Sequence, residues 1–94
     1  MKHYIVVKWN ELVTDKKAML EMVKDTFKDV VNISGVDNVE VFENNSDKAN
    51  RFDVMIKIEC SKDGLENYDV SDLHQNWKIK ADKYLKEKAI FDCD

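Results

Sequence analysis

Val36-Asp37-Asn38-Val39-Glu40-Val41-Phe42-Glu43-Asn44 and Phe52-Asp53-Val54-Met55-Ile56-Lys57-Ile58-Glu59-Cys60, separated by the polar run Asn45 to Asn50, read as the two strands and the loop of a hairpin. Each stretch alternates apolar with polar side chains, the period of two that a strand with one buried face requires. Val39 and Val41 share one face of the first strand, with Glu40 and Phe42 on the other; Phe52, Val54, Ile56, Ile58 and Cys60 share a face of the second. Matching apolar faces restricts the register to alternate pairings, because a slip of one residue would turn every apolar side chain to the wrong side. The simplest choice sets Val41 opposite Ile56, Phe42 opposite Met55 and Glu40 opposite Lys57, where opposite charges attract.

Working outward toward the N-terminus, His3 to Trp9 alternates in the same way, with His3, Ile5, Val7 and Trp9 on one face and Tyr4, Val6 and Lys8 on the other. Thr14 then offers an N-cap with Asp15 in the first turn. Met19, Met22, Val23, Phe27, Val30 and Val31 recur at helical spacing up to Gly35, which predicts an amphipathic helix of about five turns. Beyond the hairpin, Ser61 caps a short helix carrying Leu65 and Tyr68. Ser71 caps another, with Leu73, Trp77, Ala81, Tyr84 and Leu85 inward, and Ala89 to Cys93 closes the chain as a short strand. The order β-α-β-β-α-α-β, with the third strand inserted beside the first, predicts an α+β, ferredoxin-like, four-stranded antiparallel sheet with its helices on one face. One domain spanning residues 1–94 is expected at this length.

Hydrophobic residues at 44% place the chain outside the composition of disordered segments. The net charge of −4, with Lys and Glu interleaved, supplies no basic face for nucleic acid. The opening apolar run is too short for a signal peptide or a membrane span, so neither a membrane nor a nucleic-acid partner is expected and a cytoplasmic location is. Cys60 and Cys93 lie far apart with no C-x-x-C spacing, which predicts reduced, unlinked thiols.

The predicted sheet leaves Tyr4, Val6, Phe42, Met55, Ala89 and Phe91 on the face away from the helices, with no element left to cover them. An apolar area of that size needs a cover, and a second copy of the chain supplies one, so a homodimer is expected. On the helix side, Tyr68 and His74 stand six residues apart across a helix start, above a floor of His3, Ile5, Val7, Val54, Ile56, Ile58 and Ile90 with Trp77 beside it. His74 falls near the third position after the Ser71 cap, where the positive end of the helix dipole disfavours a charged ring and suits a general base. The plainer alternative is a histidine bonded to a backbone carbonyl and packed on Trp77. Tyr68 has the chemistry of an oxyanion donor; the plainer alternative is a rim aromatic with its hydroxyl in water. A metal held by His3 and His74 lacks a clear third ligand, Asp92 being the one imaginable, and neither metal nor cofactor is expected.

The opening His3-Tyr4-Ile5-Val6-Val7-Lys8, Gly35-Val36, Arg51-Phe52-Asp53-Val54, Leu65 with Tyr68 and His74, and the closing Ile90-Phe91-Asp92 together resemble the stress-responsive A/B barrel (Dabb) family of the dimeric α+β barrel superfamily. The family's usual His-Pro-x-His is reduced here to Ser71-Asp72-Leu73-His74. The resemblance implies a homodimer whose two sheets face each other as a barrel. It also implies fold relatives among plant polyketide cyclases that need no metal or cofactor, in which the roles of base and oxyanion donor would fall on His74 and Tyr68 and a pocket-lining role on His3. Trp77 stands where the family usually has a smaller ring, which leaves less room for a long-tailed substrate.

Three functions compete on this reading. One is a small homodimer with an apolar pocket, lined by His3, Ile5, Val7, Val54, Ile56, Trp77 and Ile90, that binds a small organic molecule. A second is a cofactor-free cyclase-like or isomerase-like enzyme with His74 as base and Tyr68 as oxyanion donor. A third is a stress-associated structural assembly module.

Overall fold

The computed structural model describes residues Met1–Asp94. Four strands, β1 (Lys2–Trp9), β2 (Val36–Glu43), β3 (Val54–Cys60) and β4 (Leu85–Cys93), form one antiparallel sheet in the order β2-β3-β1-β4. Three helices, α1 (Lys16–Phe27), α2 (Lys62–Asp69) and α3 (Asp72–Ala81), complete the order β-α-β-β-α-α-β. The hairpin register is the predicted one, with Val41 opposite Ile56, Phe42 opposite Met55 and Glu40 opposite Lys57. Lys57 Nζ reaches both Glu40, at 3.4 Å, and Glu59, at 3.1 Å. Alternate residues of β1 are buried, His3, Ile5, Val7 and Trp9 facing inward to meet Val54, Ile56 and Ile58 of β3 and Val23 and Phe27 of α1 in the core.

The first helix starts and stops differently from the sequence expectation. Asp15, not Thr14, is its N-cap, its carboxylate accepting from Ala18 N at 3.0 Å. The helix ends at Phe27 after about three turns, and a 3₁₀ turn over Val30–Asn32 leads out of it. The β-branched run Val30-Val31-Ile33 is poor helix material, and the 3₁₀ turn buries Val30 while exposing Val31. Leu20, absent from the predicted apolar stripe, is buried beside Val23.

Three further boundaries shift. A register change between Val36 and Asn38 lets both Val36 and the odd-numbered Val39 and Val41 face inward, which simple alternation forbids. Phe52 lies outside β3. The Asp53 side chain accepts from Trp9 N at 2.8 Å and pairs with Lys16 at 2.8 Å, so the strand begins at Val54 and Phe52 joins Val6, Phe42 and Met55 around a hollow on the open face. Leu85 opens β4 instead of ending a helix, because β4 pairs with β1 as far as Trp9 opposite Leu85; Tyr84 belongs to a 3₁₀ turn. Cys60 and Cys93, on strands separated by β1, are both free.

Gly35 and Gly64 fix where α2 sits. Gly35 has φ of 87° and a Cβ on Gly64 would fall 2.1 Å from the Gly35 carbonyl oxygen, so the two backbones touch where any side chain would separate them. Ser61 caps α2 by accepting from Gly64 N at 3.0 Å, and Asn67 Nδ2 donates to Ser34 O at 2.9 Å. Anchored at these points, α2 turns Tyr68 into the protein, where it is buried.

Candidate functional site

The sheet and the two short helices enclose a cleft of about 390 Å³. Strand β1 contributes His3 and Ile5; β4 contributes Lys88, Ile90 and Asp92; α2 contributes Leu65, Tyr68 and Asp69; and α3 contributes His74, Trp77 and Lys78. Six of the residues singled out in the sequence meet there: His3, Ile5, Tyr68, His74, Trp77 and Ile90. Val7, Val54 and Ile56 do not line it. They are closed into the core beneath, 0%, 3% and 0% exposed, because the helices pack directly over the middle of the sheet. Ile90 is 49% exposed, since β4 is an edge strand.

Local capping places His74. Ser71 Oγ accepts from His74 N at 3.1 Å, and the His74 Nδ1 lies 2.8 Å from the carbonyl oxygen of Asp69. A carbonyl only accepts, so Nδ1 carries a proton, and in the neutral ring Nε2 is the nitrogen with the free lone pair. The imidazole therefore makes the backbone bond of the plainer reading, but it packs on Tyr68, ring centroids 4.8 Å apart.

Tyr68 is a wall of the cleft and also part of the core. Its ring lies 6.4 Å from Phe27 and 6.0 Å from His3, and it is 1% exposed. The hydroxyl is buried without a hydrogen-bond partner, which overturns the reading of a rim phenol with its oxygen in water. Burial, reinforced by the Asp69 carboxylate, pushes the phenol well above its ordinary value. It is a neutral donor throughout the physiological range.

On the opposite wall, His3 Nδ1 lies 2.5 Å from Asp92 Oδ1, the two residues being direct partners in the β1–β4 register. Asp92 thus serves His3, and no cluster of three or more His, Cys, Asp or Glu side chains that could hold a metal ion forms. Sequence reasoning passed over Lys88, although it shares parity, and so its face, with Ile90 and Asp92. The Asp69 carbonyl could not have been found, because a backbone acceptor leaves no mark in the sequence. A second hollow of about 420 Å³, between Trp9, Lys16, Asp53 and the loop after β2, is mostly polar and contains neither histidine nor tyrosine.

No protein-family model and no curated protein sequence matches the chain. Solved structures do. A dimeric ferredoxin-like protein of unknown function from Thermobifida fusca superposes with a TM-score of 0.81 at 17% identity, over 96% of this chain and 85% of that one. The fold is ferredoxin-like. A Dabb family protein with a ferredoxin-like fold from Mesorhizobium loti matches at 0.73 and 14% identity, over 99% and 93% of the two chains. The hydroxynitrile lyase of Passiflora edulis matches at 0.74 and 9% identity, over 96% and 87%. At such identities the likeness establishes the fold alone. No helix is long and apolar enough to cross a membrane.

Proposed function

We propose that this chain is a homodimeric, Dabb-type protein that binds a small organic molecule in the cleft between His3, Tyr68, His74 and Trp77. The observation that carries the reading is the Tyr68 hydroxyl, buried without a partner at the wall of a cleft that two imidazoles also line. An unsatisfied buried hydroxyl costs roughly 1–3 kcal/mol; it is sealed from the cleft as the side chains stand, so an acceptor atom relieves that cost once a small shift of the wall admits it. Trp77 and Ile5 supply apolar surface for the body of such a molecule. The dimer is supported by the uncovered sheet face, where Phe42 is 41% and Phe91 63% exposed beside Tyr4, Val6, Phe52 and Met55. It is also supported by the dimeric description of the Thermobifida fusca protein that shares the fold.

Native mass spectrometry of protein purified without denaturation tests both parts. A dimer carrying a small-molecule adduct that Tyr68→Phe weakens is expected. A dimer without an adduct, in wild type and after incubation with cell extract, would leave an assembly module, and a monomer at micromolar concentration would remove the dimer.

The second reading is cofactor-free proton transfer on an enolisable carbonyl compound, with an imidazole as base and Tyr68 donating to the developing oxyanion. It is favoured by the bond from His74 Nδ1 to the Asp69 carbonyl, which makes Nε2 the accepting nitrogen of the neutral ring, and by burial that keeps Tyr68 a donor. The Passiflora edulis hydroxynitrile lyase supports it by showing that this scaffold accommodates an enzyme. His74 is the base that the family resemblance points to, and on that assignment His74→Ala would lower turnover about 10²–10⁴-fold with the dimer intact.

A further inference from the structure

The two imidazoles of the cleft are wired differently. Each has its Nδ1 engaged, so the neutral form of each presents an Nε2 lone pair. Behind His74, however, stands a neutral backbone carbonyl, whereas behind His3 stands a carboxylate at 2.5 Å. The His3 side chain is 9% exposed, and His74 is only partly buried. His3 lines the cleft, and its Nε2 has no protein partner and is not among the sealed polar atoms.

We propose that His3, held by Asp92, is the proton acceptor of this cleft, with Asp92 as its positioning residue and His74 part of the wall. The inference rests on the proton-transfer reading and reassigns its base. In the step it describes, a bound enol or other flat molecule with an acidic O–H gives its proton to His3 Nε2 and keeps the electron pair as an anion. His3 becomes an imidazolium and Asp92 remains a carboxylate, so no oxidant, reductant or further reactant is needed.

Two physical arguments favour His3 over His74. A hydrogen bond with an ionised partner is roughly twice as strong as a neutral one, so a new imidazolium gains more beside Asp92 than beside the Asp69 carbonyl. The His3 side chain is 9% exposed, which strengthens that gain, while Asp92 at 43% exposed screens part of it. The charged and titratable groups facing His3 are Asp92 and Lys88 from β4, Tyr68 and Asp69 from α2, and His74 and Lys78 from α3; β3 presents only Ile58 opposite it. Two carboxylates balance two ammonium groups, and only Asp92 is in contact. Tyr68 is neutral and 6.0 Å away between ring centroids; its hydroxyl is sealed in the wall and reaches the anion only if the wall shifts.

The test uses the intact protein and 4-nitrophenol, a flat probe with an acidic O–H whose anion absorbs visible light, at a pH where the free probe is protonated. In wild type the bound probe is expected as the phenolate. Asp92→Asn keeps an acceptor oxygen for Nδ1 and removes only the charge. It is expected to weaken phenolate binding by about 10–100-fold while the neutral probe loses far less. His74→Gln is expected to weaken both forms alike, leaving the ionised share as it was. Asp92 is 43% exposed on an edge strand, so Asp92→Asn folds even if His3→Gln does not. The assignment is overturned if Asp92→Asn leaves the ionised share unchanged, if His74→Gln alone abolishes ionisation, or if wild type binds the probe only in neutral form or not at all. The binding reading stands or falls separately, on the adduct seen by native mass spectrometry.

Discussion

Replacing Tyr68 with phenylalanine removes one oxygen and should make the protein more stable. The ring contacts with Phe27, His3 and His74, at centroid separations of 6.4, 6.0 and 4.8 Å, survive the substitution because only the hydroxyl is lost. That hydroxyl is buried and has no partner. A buried donor without a partner costs roughly 1–3 kcal/mol, so its deletion is expected to stabilise the chain by about 1 kcal/mol, the lower end because the group borders a cleft. For a domain of this size that corresponds to a rise in Tm of about 4–8 °C. Urea and thermal unfolding of wild type and Tyr68→Phe decide the sign, compared at one protomer concentration because the proposed dimerisation would make apparent stability depend on it. The sign is informative because deleting a hydroxyl that has a good partner usually destabilises by about 1 kcal/mol. Tyr68→Phe found less stable by that amount would mean that the hydroxyl is satisfied in the folded protein, and the reasoning that makes it a ligand-facing donor would fail. Gain of stability with loss of the adduct is the pattern of a group retained for function.

Gly64→Ala is expected to destabilise by at least about 2 kcal/mol, because its Cβ would fall 2.1 Å from the Gly35 carbonyl oxygen and push α2, and Tyr68 with it, off the sheet; chemical denaturation measures this. Phe42→Asp is expected to convert the dimer to monomer in sedimentation velocity, since it sets an unpaired charge in the apolar face opposite Met55; an intact dimer would locate the interface elsewhere. At alkaline pH the folded protein keeps Tyr68 protonated while the unfolded chain ionises it from its ordinary value of 10.0, so stability should be complete below that pH and fall as pH rises above it. Tyr68→Phe should remove that component of the alkaline loss. Cys60 is buried and its thiol is pushed up by burial, so a maleimide should label Cys93 well before Cys60, as peptide mapping of partially labelled protein would show.

Much of this protein is legible in local pattern. The period-two alternation of Val39 to Phe42 and of Val54 to Cys60 specifies how the two strands pair, because pleat geometry and the Glu40–Lys57 pair reject a slip of one residue. Ser61 and Ser71 mark two helix starts, since a cap concerns only the next three residues. Those two caps also bring Tyr68 and His74 within contact.

What local pattern could not supply was set by packing between distant segments. Phe52 leaves the core face because the Asp53 carboxylate is committed to Trp9 and Lys16, and β4 begins at Leu85 because β1 is long enough to pair with it there. Whether Tyr68 ends in water or in the core depends on how closely α2 approaches the sheet, which two glycines 29 positions apart decide by backbone contact. The His3–Asp92 pair joins residues 89 positions apart. Shared parity allows both to face the helices, but their partnership depends on β4 lying beside β1 in one register, a property of the assembled sheet and of neither strand alone.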